Sequence, residues 1–282
     1  MADESIADIK FFNAKPSNST LNSATGNLPA KPVPKFKPDD LYYDMSGEKI
    51  LLIFNHFEYK STRYFRTKPT SRSGTYEDVT TLKEVFKELG FNKVITHTDL
   101  THEEILTITR QISAWDHTRT SCLAIVILTH GDIGGQLFAS DKPYYLNDIV
   151  NIIIHGDVNL VTKPKLFFVQ ACRGADVDDG RIVHDGEAEN TIVVPSHIDF
   201  LVMQSSVEGF LSWRDRKGSW LIQELCKVLS NHHDSMDLLQ MITLTNRNIA
   251  INRESNTPRD ASTHRKKQTP ETRYTLTKLL KF

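Results

Sequence analysis

Two apolar runs fix most of what this chain can become. Cys122–Leu128 and Leu166–Val169 are unbroken stretches of aliphatic, aromatic and β-branched residues. They are too short for ordinary helices and too continuous for strands with one wet face. Strands of that kind are covered on both sides, as in parallel sheets. Each run ends at residues capable of chemistry: Thr129, His130 and Gly131 after the first, Gln170, Ala171, Cys172, Arg173 and Gly174 after the second. In open α/β sheets ligands collect beyond the carboxyl ends of the strands. A thiol and an imidazole delivered to two such ends are a candidate catalytic pair.

The flanking chain fits that picture. Ile50–Phe54 reads as another buried strand, and Asn55 to Arg72 as a long polar and aromatic loop dense in basic residues. Val79, Leu82, Phe86 and Leu89 share one helix face, which Gly90 stops. Phe91 to Thr96 follows as a strand. Thr101 with Glu104 forms a capping box, opening a helix whose buried stripe is Ile105, Ile108, Ile112 and Trp115. His130 to Pro143 is expected to be a loop, and Asn147–Ile154 a short helix. After Cys172 the alternation breaks: residues 173–197 are acidic and Gly-bearing and read as exposed. A strand at Asp199–Gln204, helices near Ser219–Leu229 and Asp237–Ile249, and a period-two strand from Tyr274 to Leu280 complete the order. This alternation predicts an α/β fold, an open, mostly parallel sheet with helices on both faces.

Composition narrows the function. Residues 1–40 hold five prolines among polar residues and are expected to be disordered. A net charge of −1 provides no field for nucleic acid or an anionic membrane. No apolar run approaches a bilayer span, and the acidic stretch from Met1 to Ser5 is unlike a secretory signal. Three cysteines, Cys122, Cys172 and Cys226, lie far apart without CxxC spacing, which predicts a reducing, cytoplasmic setting. Cys226 with His232 and His233 lacks regular metal-ligand spacing. Gly131 to Gly135 matches neither phosphate-binding glycine pattern. No metal or cofactor is expected.

Gln170-Ala171-Cys172-Arg173-Gly174 resembles the signature around the nucleophile of caspases. Ser71-Arg72-Ser73-Gly74-Thr75, Thr129-His130-Gly131-Asp132, Ser212-Trp213-Arg214 and Gly218-Ser219-Trp220 are similar to further blocks of that family, in the family's order. The resemblance covers about residues 41–282 and is closest to the short-prodomain, executioner-type enzymes. It implies a six-stranded sheet and a cysteine endopeptidase that cuts after Asp, with Asp in the P1 position before the scissile bond. By that resemblance Cys172 is the nucleophile and His130 the acid and base. The N–H groups of Gly131 and Cys172 form the oxyanion hole, and a glycine at 131 lets backbone approach the substrate. Arg72, Gln170 and Arg214 form the P1 pocket, where a buried carboxylate calls for planar, permanently charged donors. Ser212, Trp213 and Trp220 belong to the substrate cleft.

The pattern also departs from the family's. Leu211 stands where an aromatic is usual, and Thr263 where a second wall of the P2 site is expected. Asp215 replaces a neutral amide that would meet an acidic P4 residue, with Arg216 and Lys217 near enough in sequence to offset it. A roomier P2 site and a weakened preference for Asp at P4 are expected. Asp185 before Gly186 is the expected processing site between a large segment (41–185) and a small one (186–282), with Asp179 as a rival; Asp8 and Asp40 are candidates for removal of the N-terminal segment. The resemblance further implies protein substrates, a homodimer paired through the terminal strand 272–282, and other caspases or inhibitor proteins as partners in apoptosis. The rival reading is a weakly active homologue that dimerises with another caspase and regulates it.

Overall fold

The computed structural model describes residues 31–173, 198–215 and 217–282; Asp8, Asp179, Asp185 and Arg216 lie outside them. Its elements in chain order are β1 (Glu48–Asn55), α1 (Thr75–Glu88), β2 (Lys93–Thr98), α2 (His102–Ser113), β3 (Thr120–Leu128), β4 (Gly131–Asp132), β5 (Gln136–Phe138), β6 (Pro143–Tyr145), α3 (Leu146–Ile154), β7 (Lys165–Gln170), β8 (Phe200–Gln204), β9 (Arg214–Asp215), β10 (Gly218–Ser219), α4 (Trp220–His232), α5 (Leu238–Asn252) and β11 (Glu271–Tyr274).

The main sheet has six strands in the order β11-β8-β7-β3-β1-β2. All neighbours are parallel except β11, which runs antiparallel to β8. Every residue of β3 is buried, because its side chains alternate between two cores. Cys122, Ala124, Val126 and Leu128 face the layer that includes Leu82, Phe86, Leu221, Leu225 and Met241 of α1, α4 and α5. Leu123, Ile125 and Ile127 face Ile105, Ile112, Ile149 and Ile153 of α2 and α3. From β1 the chain steps outward to β2, then returns to β3 on the other side of β1. The connections on the two sides diverge there, and the carboxyl ends of the strands at such a point are the usual ligand position in open α/β sheets.

Several boundaries differ from the sequence reading, each for a local reason. Helix α1 begins at Thr75 rather than Val79, after Gly74 turns the chain with φ 86°. Strand β2 starts at Lys93 rather than Phe91: the Phe91 N–H bonds to the Phe86 carbonyl and its ring packs 4.9 Å from that of Phe86, closing the end of α1. The capping box of Thr101 and Glu104 forms as expected. The expected loop 130–143 holds β4 and β5 of a small three-stranded sheet with β6, whose strands are too short to show a period.

The terminal strand lies before the expected one: β11 spans Glu271–Tyr274 and ends where the strand expected over Tyr274–Leu280 begins. Beyond it the Thr277 N–H and hydroxyl bond to Asp199 Oδ1 at 3.1 and 2.7 Å, and the Tyr43 hydroxyl donates to the same oxygen at 2.5 Å. The chain is thereby drawn out of the sheet, and Leu280 is buried in the core beside α5. Leu279 bridges Tyr42, so residues 41–43 cover this tail and not β11. Lys278 Nζ also collects the carbonyls of Lys37, Pro38 and Asp40, closing the turn that carries Asp40.

Candidate active site

Parallel register places the candidate groups side by side. Leu128 of β3 is opposite Gln170 of β7, and the Thr129 N–H extends that ladder to the Gln170 carbonyl at 3.0 Å. His130 and Cys172 therefore leave adjacent strands at the same end. Gly131 seals the approach: a Cβ there would lie 2.2 Å from the Cys172 carbonyl oxygen and 2.8 Å from that of Gln136. The absent side chain makes room for the backbone of Cys172.

His130 is held at its ring and at its backbone N–H. Its Nε2 lies 2.9 Å from the Thr70 carbonyl. A carbonyl only accepts, so Nε2 carries the proton and Nδ1 is left as the free base. The His130 N–H donates to the Tyr59 hydroxyl at 3.0 Å. Tyr59 in turn bonds Thr129 Oγ1 at 2.9 Å, and Thr129 donates to the Phe138 carbonyl. Burial, with the Arg72 and Arg214 charges adding to it, pushes the imidazole down to about 4 despite its bond to Thr70. At neutral pH it is an uncharged base.

Cys172 is half-buried and free. The Ser212 N–H points at its sulfur at 3.5 Å. Below it, the hydroxyls of Ser205 and Ser212, 2.6 Å apart, both reach the Ala171 carbonyl, at 2.9 and 3.1 Å. The backbone of Arg173 is zipped to Phe210 and Gly209 at 3.1 Å each. Its buried guanidinium reaches Ser206, Glu208 and Glu271.

The arginines converge on the same site. Arg72 is 1% exposed, and one Nη donates to the His56 carbonyl at 3.1 Å and to Thr75 Oγ1 at 2.8 Å. Its Nε is buried without a partner, as is Gln170 Oε1. Burial pushes Arg72 down to about 10, so it keeps its charge at neutral pH. Arg214 is half-buried, and its guanidinium has no hydrogen-bond or ion-pair partner among the described residues. Charge interactions link Arg72, Arg214, Tyr59 and Cys172. An acidic side chain entering between the arginines would meet donors that the protein leaves uncommitted.

The remaining candidates line the approach unequally. The rings of Trp213 and Trp220 lie 6.1 Å apart, and the Trp213 N–H donates to Gln268 Oε1 at 2.6 Å. Leu211 is half-buried just before them. The hydrogen bonds of Thr263 stay within its own loop, to Thr257, Asp260 and Ser255, so none ties it to the tryptophans. Among the described residues Asp215 accepts the Lys217 backbone N–H at 2.7 Å and pairs with Arg253, 3.9 Å away. Arg253 also grips Glu224 at 2.8 Å and Gln223 at 2.9 Å. Tyr59, Ser205 and Arg253 were missed in the sequence because nothing in their local spacing distinguishes them. Among the described residues no group of three or more His, Cys, Asp or Glu could hold a metal ion.

Comparison with known proteins agrees with this geometry. The family described as caspase domain matches residues 48–281. The chain is 36% identical over 275 residues to Caspase-1 of Drosophila melanogaster, covering 92% of this chain and 82% of the relative. It is 39% identical over 217 residues to Caspase-3 of Bos taurus, covering 75% and 77%. The crystal structure of Caspase-1 from Spodoptera frugiperda superposes with a TM-score of 0.77 at 34% identity, covering 89% of this chain and 96% of that one.

Proposed function

The chain belongs to the caspase family and is a cysteine-type endopeptidase acting on proteins after Asp; we propose that Cys172 and His130 carry its chemistry and that Arg72, Gln170 and Arg214 select the P1 aspartate. The Cys172 sulfur attacks the P1 carbonyl carbon as its thiol proton passes to Nδ1 of His130, and that proton goes on to the leaving amine as the C–N bond breaks. Backbone N–H groups of Gly131 and Cys172 face the oxyanion; one such donor is worth about 3 kcal/mol in the transition state. His130 protonates the leaving amine and then activates the water that releases the acyl group. The observation that carries this reading is the close fit of Gly131 against the Cys172 carbonyl, which leaves thiol and imidazole at one strand edge beside uncommitted arginine donors.

The same reading extends to biology. The enzyme is a zymogen cut after Asp185 into segments 41–185 and 186–282, following loss of an N-terminal segment at Asp8 or Asp40. It acts in apoptosis as an executioner caspase, in the cytoplasm, the compartment that three free cysteines suit. No helix among the described residues is long and apolar enough to cross a membrane. Its dimer pairs through β11, the last strand of the sheet among the described residues, since an edge strand presents backbone groups for pairing. Expression with and without Cys172→Ala tests the assignment. The parent chain processes itself at Asp185 and hydrolyses fluorogenic Asp-P1 peptides, and the variant does neither; processing that survives in the variant overturns it.

A further inference from the structure

Asp78 has no place in the roles assigned so far, yet it sits behind the two arginines. It is 1% exposed, one helical turn past Gly74, on the segment where the Arg72 carbonyl accepts the Thr75 N–H at 3.2 Å. Its Oδ1 accepts the Ser219 N–H at 2.7 Å, and its Oδ2 accepts the Ser219 hydroxyl. Ser219 is the register partner of Arg214 in the β9–β10 hairpin. Gly218 makes the contact feasible: a Cβ there would lie 2.2 Å from Asp78 Oδ1, and its φ of 116° suits glycine alone. One carboxylate thus ties the Arg72 segment to the Arg214 hairpin, 141 residues later in the chain.

We propose that Asp78 is a positioning residue for substrate binding, which locks the hairpin bearing Arg214 onto the helix behind Arg72 so that both guanidinium groups act on one acidic side chain. This rests on the reading above that the two arginines hold the P1 aspartate. The carboxylate also tempers the repulsion between two cations packed into one crevice. Arg72 and Arg214 face it, as do Ser219 on β10 and Cys226 on α4. Burial pushes its carboxyl up to about 6, against the pull of the Ser219 donors and both arginines, so it is mostly ionised at neutral pH.

The test compares Asp78→Ala, which removes both bonds to Ser219, with Asp78→Asn, which keeps an acceptor for the N–H and a donor for the hydroxyl. In Asp78→Ala, KM for an Asp-P1 peptide rises about tenfold, the equivalent of one charged hydrogen bond. There kcat and the rate of Cys172 alkylation by iodoacetamide stay within about twofold, the pattern of lost binding. Asp78→Asn recovers most of the KM. An unchanged KM in Asp78→Ala overturns the proposal, as does a parallel fall of kcat, alkylation and thermal transition in both variants. Should the alanine variant not fold, Ser219→Ala carries the same KM-only expectation at about threefold, and an unmoved KM there overturns it equally. Failure of the P1 reading shows separately, as an unmoved KM in Arg72→Ala and Arg214→Ala.

Discussion

Glu271 holds its carboxylate against the guanidinium of Arg173, joining the outermost strand of the sheet to the residue after the candidate nucleophile. Arg273 grips the other Glu271 oxygen at 2.6 and 3.0 Å. Glu271→Gln leaves a buried guanidinium short of charge and is expected to cost about 1–3 kcal/mol, read as a lower urea midpoint. Burial raises the Glu271 carboxyl, but the bonds from Arg273 and Arg173 outweigh it and hold it below the usual carboxylate range. A depressed acid lends stability above its unfolded pKa and loses it as pH falls through the folded one. The stabilities of parent and variant therefore converge only in strong acid; equal midpoints at pH 7 would sink the claim.

The histidines lose stability in the same direction, toward acid, but because the fold favours their neutral forms rather than a charged one. Burial pushes both His56 and His130 down to about 4. The fold favours their neutral forms, so their contribution is complete above the unfolded value near 6.5 and is lost as pH falls from there toward 4. The urea midpoint is expected to decline steadily between pH 6.5 and 5. In the same range the His130 ring resonances, followed by NMR, stay at their neutral positions. A His130 titration centred near 6.5 would refute the assignment.

Arg72→Lys is not conservative here. The lysine keeps the charge but loses the planar fork that reaches the His56 carbonyl and Thr75 while leaving Nε uncommitted. KM for Asp-P1 peptides is expected to rise by about a hundredfold, the worth of one buried charged pairing. In the parent chain, Asn at P1 is cut roughly 10⁴-fold less well than Asp, because it leaves buried guanidinium charge unpaired. Comparable rates for the two peptides would exclude a doubly cationic pocket.

The region around Asp215 sets P4 choice under the same reading. Among the described residues Arg253 is shared between Asp215 and Glu224, so it neutralises Asp215 only in part and an acidic P4 residue is less welcome. A tetrapeptide library with Asp fixed at P1 is expected to show no dominant P4 aspartate. Asp215→Asn raises the acidic share about threefold, a modest change because the site is solvated. A dominant Asp-Glu-Val-Asp optimum in the parent chain would contradict this.

What the sequence displayed was decided by periodicity and by chemistry at fixed spacing. Strands β3 and β7 are continuous apolar runs because both faces are covered, and α2 announced its start through Thr101 and Glu104. The groups that hold the site together were not visible, because their partners are remote in the chain. Tyr59 meets His130 across 71 residues, and Asp78 meets Ser219 across 141. Neither contact leaves a local pattern. The last strand is displaced from the alternating run for a related reason: alternation marks Tyr274 to Leu280, but the pairing falls on Glu271–Tyr274, and Asp199 captures Thr277 and turns the chain away.

Lys278 gathers the carbonyls around Asp40 into a closed turn and rests its ammonium 5.3 Å from the centre of the Phe36 ring. Proteolysis acts on chain that has opened, so a bond held in this turn is cut only while the turn is undone. Trimming at that aspartate would therefore act as a clock for loosening of the chain's two ends, running faster in any variant that frees the lysine.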